Sequence, residues 1–334
     1  MHMSDALITP IVGSSMLASS LGVMATATKK LDIESMEHRI PYMGVVGAFV
    51  FASQMVNFAI PATGSSGHIG GGMLLAILLG PHAGFLTMAS VLLIQALFFA
   101  DGGLLAYGCN LFNLGFFTCY VAYPIIFKPI LGKVTQIVGD KQSQFRLGLA
   151  SVLSAVIALQ LGAFAVVLQT VISGRTELPF MEFTMFMQPI HLAIGLVEGL
   201  VTAAVVIYIA GQRPDLLHIT NTSSIEKTGP STKSLIRGLA IVTIIVGVLI
   251  SQFASASPDG LEWALENVSA HEIGGGVLEE IQGSIAVLPD YDFANDVLPS
   301  TVGVGVSGFV GSLLTLMMVV GIGLIVRKKS KSQT

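Results

Sequence analysis

The chain opens Met1-His2, which sets three nitrogens in a row: the Met1 α-amine, the His2 backbone amide and the His2 imidazole. Amine and amide would close a five-membered chelate ring on a metal, and amide with imidazole Nδ1 a six-membered one. The two rings are nearly coplanar and leave a single equatorial position. A deprotonated amide is a strong-field donor, so the set suits square-planar Ni(II) or Cu(II). Histidine is a large second residue, so methionine removal is not expected. The opening MHMSDALITP also lacks a basic n-region and an A-x-A site, which predicts no cleaved signal peptide. Taken alone, the pair leaves two readings open, a chelate and an ordinary second residue.

His68 is the candidate for the fourth position. It lies in PATGSSGHIGGG (61–72), where small residues on both sides let another backbone approach closely. Its imidazole matches nickel, copper or zinc by donor type. A histidine in a glycine loop that only needs flexibility is the other reading. His191 and Glu198, in HLAIGLVEG (191–199), fall on nearly one helix face. They read either as a functional intramembrane pair or as polar packing beside a G-x-x-x-G face at Gly195 and Gly199, and packing is favoured. His82 follows Pro81 at a turn on the opposite face from His68, too distant to be a ligand. His38, His218 and His271 fall in loops and read as solvated.

These residues must be held by something, and the composition says what. Of the 334 residues, 53% are hydrophobic and 11% charged, and the mean hydropathy is +0.80. A typical soluble domain is about 25% charged, so too little polar surface exists to cover a globule in water. The class is an all-α polytopic membrane protein, which excludes a nucleic-acid binder, a coiled coil and a disulfide scaffold. Cys109 and Cys119 share one apolar run and point to different sides of a helix, so no disulfide is expected.

Segments of the length that crosses a hydrocarbon core fall near 10–28, 41–60, 69–80, 82–100, 105–127, 147–173, 183–210, 235–256 and 302–326. The third is short and Pro81 ends it, so a re-entrant segment or one kinked helix is also open. Fifteen of the sixteen Lys and Arg residues then share one face, in the loops after the first, fifth and seventh spans and in the tail; only Arg175 lies opposite. The positive-inside rule makes that face cytoplasmic, puts the N-terminus outside and the C-terminus inside, and favours 69–80 as a full crossing. The expected organisation is a seven-helix core (1–212), a polar cytoplasmic linker (213–234) and a two-helix C-terminal hairpin (235–334). The hairpin encloses an external loop, 257–301, with nine acidic residues and no Lys or Arg. Such a rim attracts cations, although sorting of basic residues alone would also leave an acidic loop. No G-x-x-x-x-G-K-[ST], HExxH or GxSxG motif is present.

The strings MHMSDAL (1–7), GSSGHIGGGMLLAILLGPHAGFLTMASVLLIQALFFADGG (64–103), GCNLFN (108–113) and HLAIGLVEG (191–199) occur in that order. Together they resemble the CbiM/NikM family, the substrate-binding S components of energy-coupling factor (ECF) transporters for cobalt and nickel. The resemblance covers about residues 1–212. SPDGLEWALE (257–266) in the hairpin resembles the small NikN/CbiN-like PDGLE accessory subunit, as in a NikMN-type fusion. The start departs from the common MHIPDG and MHIMEG at Ser4 and Ala6, and Cys109 stands where the family usually has alanine.

The resemblance implies that the N-terminal segment folds back into the core and that Met1, His2 and His68 hold the metal. It also implies a transmembrane coupling (T) subunit and two cytoplasmic ATPases as partners, with no enzymatic activity in this chain and no cofactor other than the transported ion. Amide coordination and the fused hairpin lean towards Ni(II); Co(II) destined for cobalamin biosynthesis is the alternative. A membrane metal sensor that does not transport is the rival class. A membrane enzyme is a third, but its acid/base pair, His191 and Glu198, has no nearby nucleophile.

Overall fold

The computed structural model describes residues 2–31, 40–132, 140–176, 178–219, 231–268, 277–293 and 299–331. Met1, with its α-amine, lies outside them, as do His38, His271 and the linker residues 220–230. Among the described residues seven helices are long and apolar enough to cross a membrane. They are α1 (Pro10–Lys30), α4 (Pro81–Phe98), α5 (Tyr107–Leu131), α6 (Lys141–Ser173), α7 (Phe180–Gln212), α8 (Thr232–Phe253) and the last, α11, which spans Ser300–Lys331. Two shorter helices complete the bundle, α2 (Ile40–Gln54) and α3 (Gly72–Leu79).

The nine apolar segments therefore survive, but two of them differ from expectation. The second stops at Gln54, and the chain then makes a small antiparallel hairpin, β1 (Phe58–Ile60) with β2 (Ser65–Gly67). The hairpin interrupts the all-α fold without changing its class. Its turn is formed by Ala62 and Gly64, both at positive φ. The third segment is the greater correction: α3 has eight residues, about 12 Å at 1.5 Å per residue, and cannot cross a core of about 30 Å. All eight of its residues are buried in protein, the condition under which irregular backbone is tolerated at membrane depth. Its C-terminal end still reaches the side of the bundle opposite the β-hairpin, where the His218 N–H donates to Ile77 O (3.0 Å) just beyond the end of α7.

α6 and α7, 33 residues each, pair along their length, and α5 packs on α6. α8 and α11 clasp α2 on the other flank. Their backbones touch where two glycines meet: a Cβ at Gly308 would lie 1.7 Å from Gly247 O. The acidic segment is not an open loop. It contains α9 (Gly260–Val268) and α10 (Val277–Ile285). A reciprocal capping box starts α9: Asp259 Oδ1 accepts from Leu261 N and Glu262 N (both 2.8 Å), and Glu262 Oε2 accepts from Asp259 N (3.0 Å). The strap before it runs along β2, with Ser66 N donating to Pro258 O at 2.8 Å and Ser66 Oγ to Ser257 O at 2.8 Å. Cys109 and Cys119 are free and buried.

Candidate metal centre

The N-terminal segment is threaded into the bundle before α1 begins. Met3, Leu7 and Ile8 are fully or almost fully buried. The Asn110 side chain grips the Met3 backbone on both sides: its Oδ1 accepts from Met3 N (2.8 Å) and its Nδ2 donates to Met3 O (3.1 Å). Met3 O also accepts from Gly103 N (2.8 Å). Asp5 Oδ1 accepts from Ala106 N (2.9 Å), while Arg175 Nη1 donates to Asp5 O (3.4 Å) and Ile8 O (3.2 Å). The approach requires glycine, since a Cβ at Gly103 would lie 1.9 Å from Asp5 Oδ1. Ser4 and Ala6 lie within the segment that these bonds hold. Arg175 helps to hold it.

This threading delivers His2 to His68. Their rings are stacked, with centroids 5.2 Å apart and 10° between planes. His2 Nδ1 lies 3.3 Å from Asp101 Oδ1, and His2 Nε2 is buried without a hydrogen-bond partner. His68 Nδ1 lies 3.1 Å from Ile69 O. With its proton on Nδ1, the ring donates to that carbonyl and turns the Nε2 lone pair outward, the usual way a protein orients a ligating imidazole. Burial pushes the His2 pKa down against the opposing Asp101 charge, and pushes His68 down to about 4. Both rings are therefore neutral near pH 7, the form that binds metal.

His2 and His68 line a polar cleft of about 720 Å³, together with the carboxylates of Asp5, Asp101, Asp259, Glu262, Glu279 and Asp290. Four of those six come from the acidic segment, which folds over the mouth. The crowding has an electrostatic cost. Burial and then the Asp259 charge raise the Glu262 pKa, and burial and then Asp101 raise that of Asp290. Such a site attracts cations. A water occupies about 30 Å³ of liquid, so the cleft can admit a hydrated ion.

His191 and Glu198 are not a pair. His191 Nδ1 lies 2.8 Å from Met187 O, whereas Glu198 accepts from Gly70 N (2.8 Å) and Gly71 N (3.1 Å). The expected packing role holds for their neighbours, because a Cβ at Gly195 or Gly199 would press on the α6 backbone at Val156 or Val152. His82 contacts Tyr120 Oη (3.0 Å) and does not line the cleft. His218 is exposed and is engaged by Tyr123, whose hydroxyl donates to His218 O (3.1 Å). Residue type and spacing alone do not mark Asp101, Asn110 or Tyr291; the first two lie in the strings DGG and GCNLFN.

A family model described as CbiM, cobalt uptake substrate-specific transmembrane region, matches residues 2–216. The chain belongs to the CbiM family. A second model, the PDGLE domain, matches residues 233–328. A putative fused nickel transport protein NikMN of Archaeoglobus fulgidus is 31% identical over 95% of this chain and 96% of its own length. A probable fused nickel transport protein LarMN of Lactiplantibacillus plantarum is 28% identical over 96% and 97%. A cobalt transport protein CbiM of Sorangium cellulosum is 31% identical over 53% of this chain and 76% of its own. A crystal structure of a truncated transition metal transporter superposes with a TM-score of 0.52 at 28% identity, over 63% of this chain and 98% of that one. This CbiM-family chain is accordingly a multi-pass membrane component of a nickel/cobalt transport system, with the PDGLE domain fused behind it.

Proposed function

We propose that the chain is the substrate-binding component of an ATP-driven ECF-type transporter, and that it captures Ni(II) at its external face through the Met1 amine, the His2 amide and imidazole, and His68. The observation that carries the reading is the stacking of His2 on His68 at 5.2 Å beneath a rim of carboxylates. In a plane with metal–nitrogen bonds of about 2 Å, two imidazoles on adjacent positions hold their centroids roughly 4–5 Å apart. The observed separation is close to that range, and the rings would turn so that their donor nitrogens converge on one ion. Among the described residues no three His, Cys, Asp or Glu side chains form a ligand group, and a site built on amine and amide needs only two side chains.

The N-terminus then faces outside and the C-terminus the cytoplasm. Residues from four of the segments that the charge count puts outside line the cleft: His2, Ser4 and Asp5; His68; Ala100 to Gly103; and Asp259, Glu262, Glu279 and Asp290. With no phosphate-loop motif in the chain, energy comes from two separate ATPase subunits through a coupling subunit. Co(II) is the second reading, favoured by the cobalt description of the family model.

Radioactive nickel and cobalt uptake by cells making this chain with and without the coupling and ATPase subunits tests the proposal. Nickel should accumulate only with all partners present. Uptake independent of them, or cobalt accumulation that excess nickel does not suppress, would refute it.

A further inference from the structure

We infer that Glu198 is a positioning residue for metal capture: it holds the glycine loop so that the His68 imidazole faces His2. This rests on the proposal that His68 is the fourth donor. The loop cannot hold itself. Gly70, Gly71 and Gly72 follow His68 almost directly and carry no side chain to pack or to bond, so their backbone must be fixed from outside. Glu198, on α7 and 2% exposed, reaches across and accepts from Gly70 N (2.8 Å) and Gly71 N (3.1 Å). Gln54 on α2 takes the other side of the same residue, donating through Nε2 to Gly70 O (2.7 Å), and Gln95 on α4 donates to Gln54 Oε1 (3.0 Å).

Three helices thus fix the peptide groups on either side of Gly70, two residues from the imidazole. Gly71 is the N-cap of α3 and sits at φ +75°, a conformation that glycine adopts freely. The carboxylate meets N–H groups at that helix start, where the backbone dipole favours negative charge. A side chain at Gly70 would crowd the carboxyl group, since a Cβ there would lie 3.2 Å from Glu198 Oε2. A carboxyl group buried at this depth needs hydrogen bonds, and the two amides engage both of its oxygens. Residues that orient a metal ligand without touching the metal typically set 10–100-fold of its affinity.

The test uses the full chain in detergent, with Ni(II) for affinity and Cu(II) as a spectroscopic probe whose nitrogen hyperfine pattern counts donors. Glu198→Ala should bind Ni(II) about 10–100-fold more weakly and lose one nitrogen from the Cu(II) spectrum, matching His68→Ala. Glu198→Gln, which keeps the shape and one acceptor oxygen, should fall between Glu198→Ala and the parent. If Glu198→Ala does not fold, Glu198→Gln decides in the same assay. Affinity and spectrum like the parent's in the Glu198 variants, with both lost in His68→Ala, would overturn the inference. Weaker binding with all nitrogens retained would overturn it too, by reducing Glu198 to general stability. A His68→Ala protein that binds like the parent would instead overturn the ligand assignment beneath it.

Discussion

Tyr291, in the C-terminal PDGLE segment, donates its hydroxyl to Asp101 Oδ2 at 2.5 Å, while the other oxygen of Asp101 faces His2 Nδ1 at 3.3 Å. The fused domain is thereby bonded to the carboxylate that lies against the very nitrogen the proposed chelate would give to the metal. The link is braced: Tyr291 stacks on Phe99 with centroids 4.8 Å apart, and Leu288 N and Asp290 N donate to Phe98 O (3.0 Å) and Phe99 O (2.9 Å). Removing the hydroxyl with Tyr291→Phe should cost about 1.5–3 kcal/mol, the usual worth of a hydrogen bond to a charged group. Nickel should also bind several-fold more weakly. Thermal unfolding and calorimetry read the two effects, and an unchanged melting temperature would show that the bond is not a brace.

The proposed chelate is sensitive to any change at the first two residues. One residue added before Met1, or His2→Ala, should abolish high-affinity nickel binding while the chain stays folded and inserted, because either change destroys the fused rings. Nickel binding should also release more than one proton per ion near pH 7. A free α-amine has a pKa of about 7.7–8.0, and the amide releases its proton only to metal. The imidazoles, already neutral, add little to that count. Calorimetry in buffers of different ionisation enthalpy measures it; a value near zero would transfer the site to the acidic rim.

His68→Ala and His82→Ala separate the cleft from the opposite side of the bundle. The first removes a proposed donor and should weaken nickel binding at least tenfold. The second only frees the Tyr120 hydroxyl near the start of α4 and should leave affinity within about twofold. Equal losses in the two variants would mean that the loop histidine is misassigned.

The metal-free protein should lose stability in mild acid. Burial brings His68 down to about 4, below the roughly 6.5 of an unfolded histidine. With the folded value depressed, the unfolded chain takes up the proton first. The contribution is complete above about pH 6.5 and is lost progressively as pH falls towards 4. Melting temperatures from pH 7 to 5 should therefore decline, and His68→Ala should flatten part of the decline. Parallel curves for both proteins would show that other groups carry it.

The membrane class, the run of apolar segments, the one-sided distribution of basic residues and the donor types at His2 and His68 can all be read from the chain alone. Each depends on what solvent or lipid does to a short stretch of residues, so no knowledge of neighbours is needed. What packs against what is another matter. Hydropathy reads 41–60 as one helix because Phe58–Ile60 is apolar, yet those residues pair with β2. It reads 69–80 as a span because Met73 to Leu79 are apolar, although burial in protein lets an eight-residue helix suffice. The HLAIGLVEG spacing puts His191 and Glu198 on one face, but Glu198 turns to two amide groups about 130 residues earlier in the chain. Asn110 clasping Met3, Tyr291 bracing Asp101 and the acidic helices closing over the cleft are likewise contacts between distant segments. They follow from which faces fit together, a property of the packed bundle that no local pattern records.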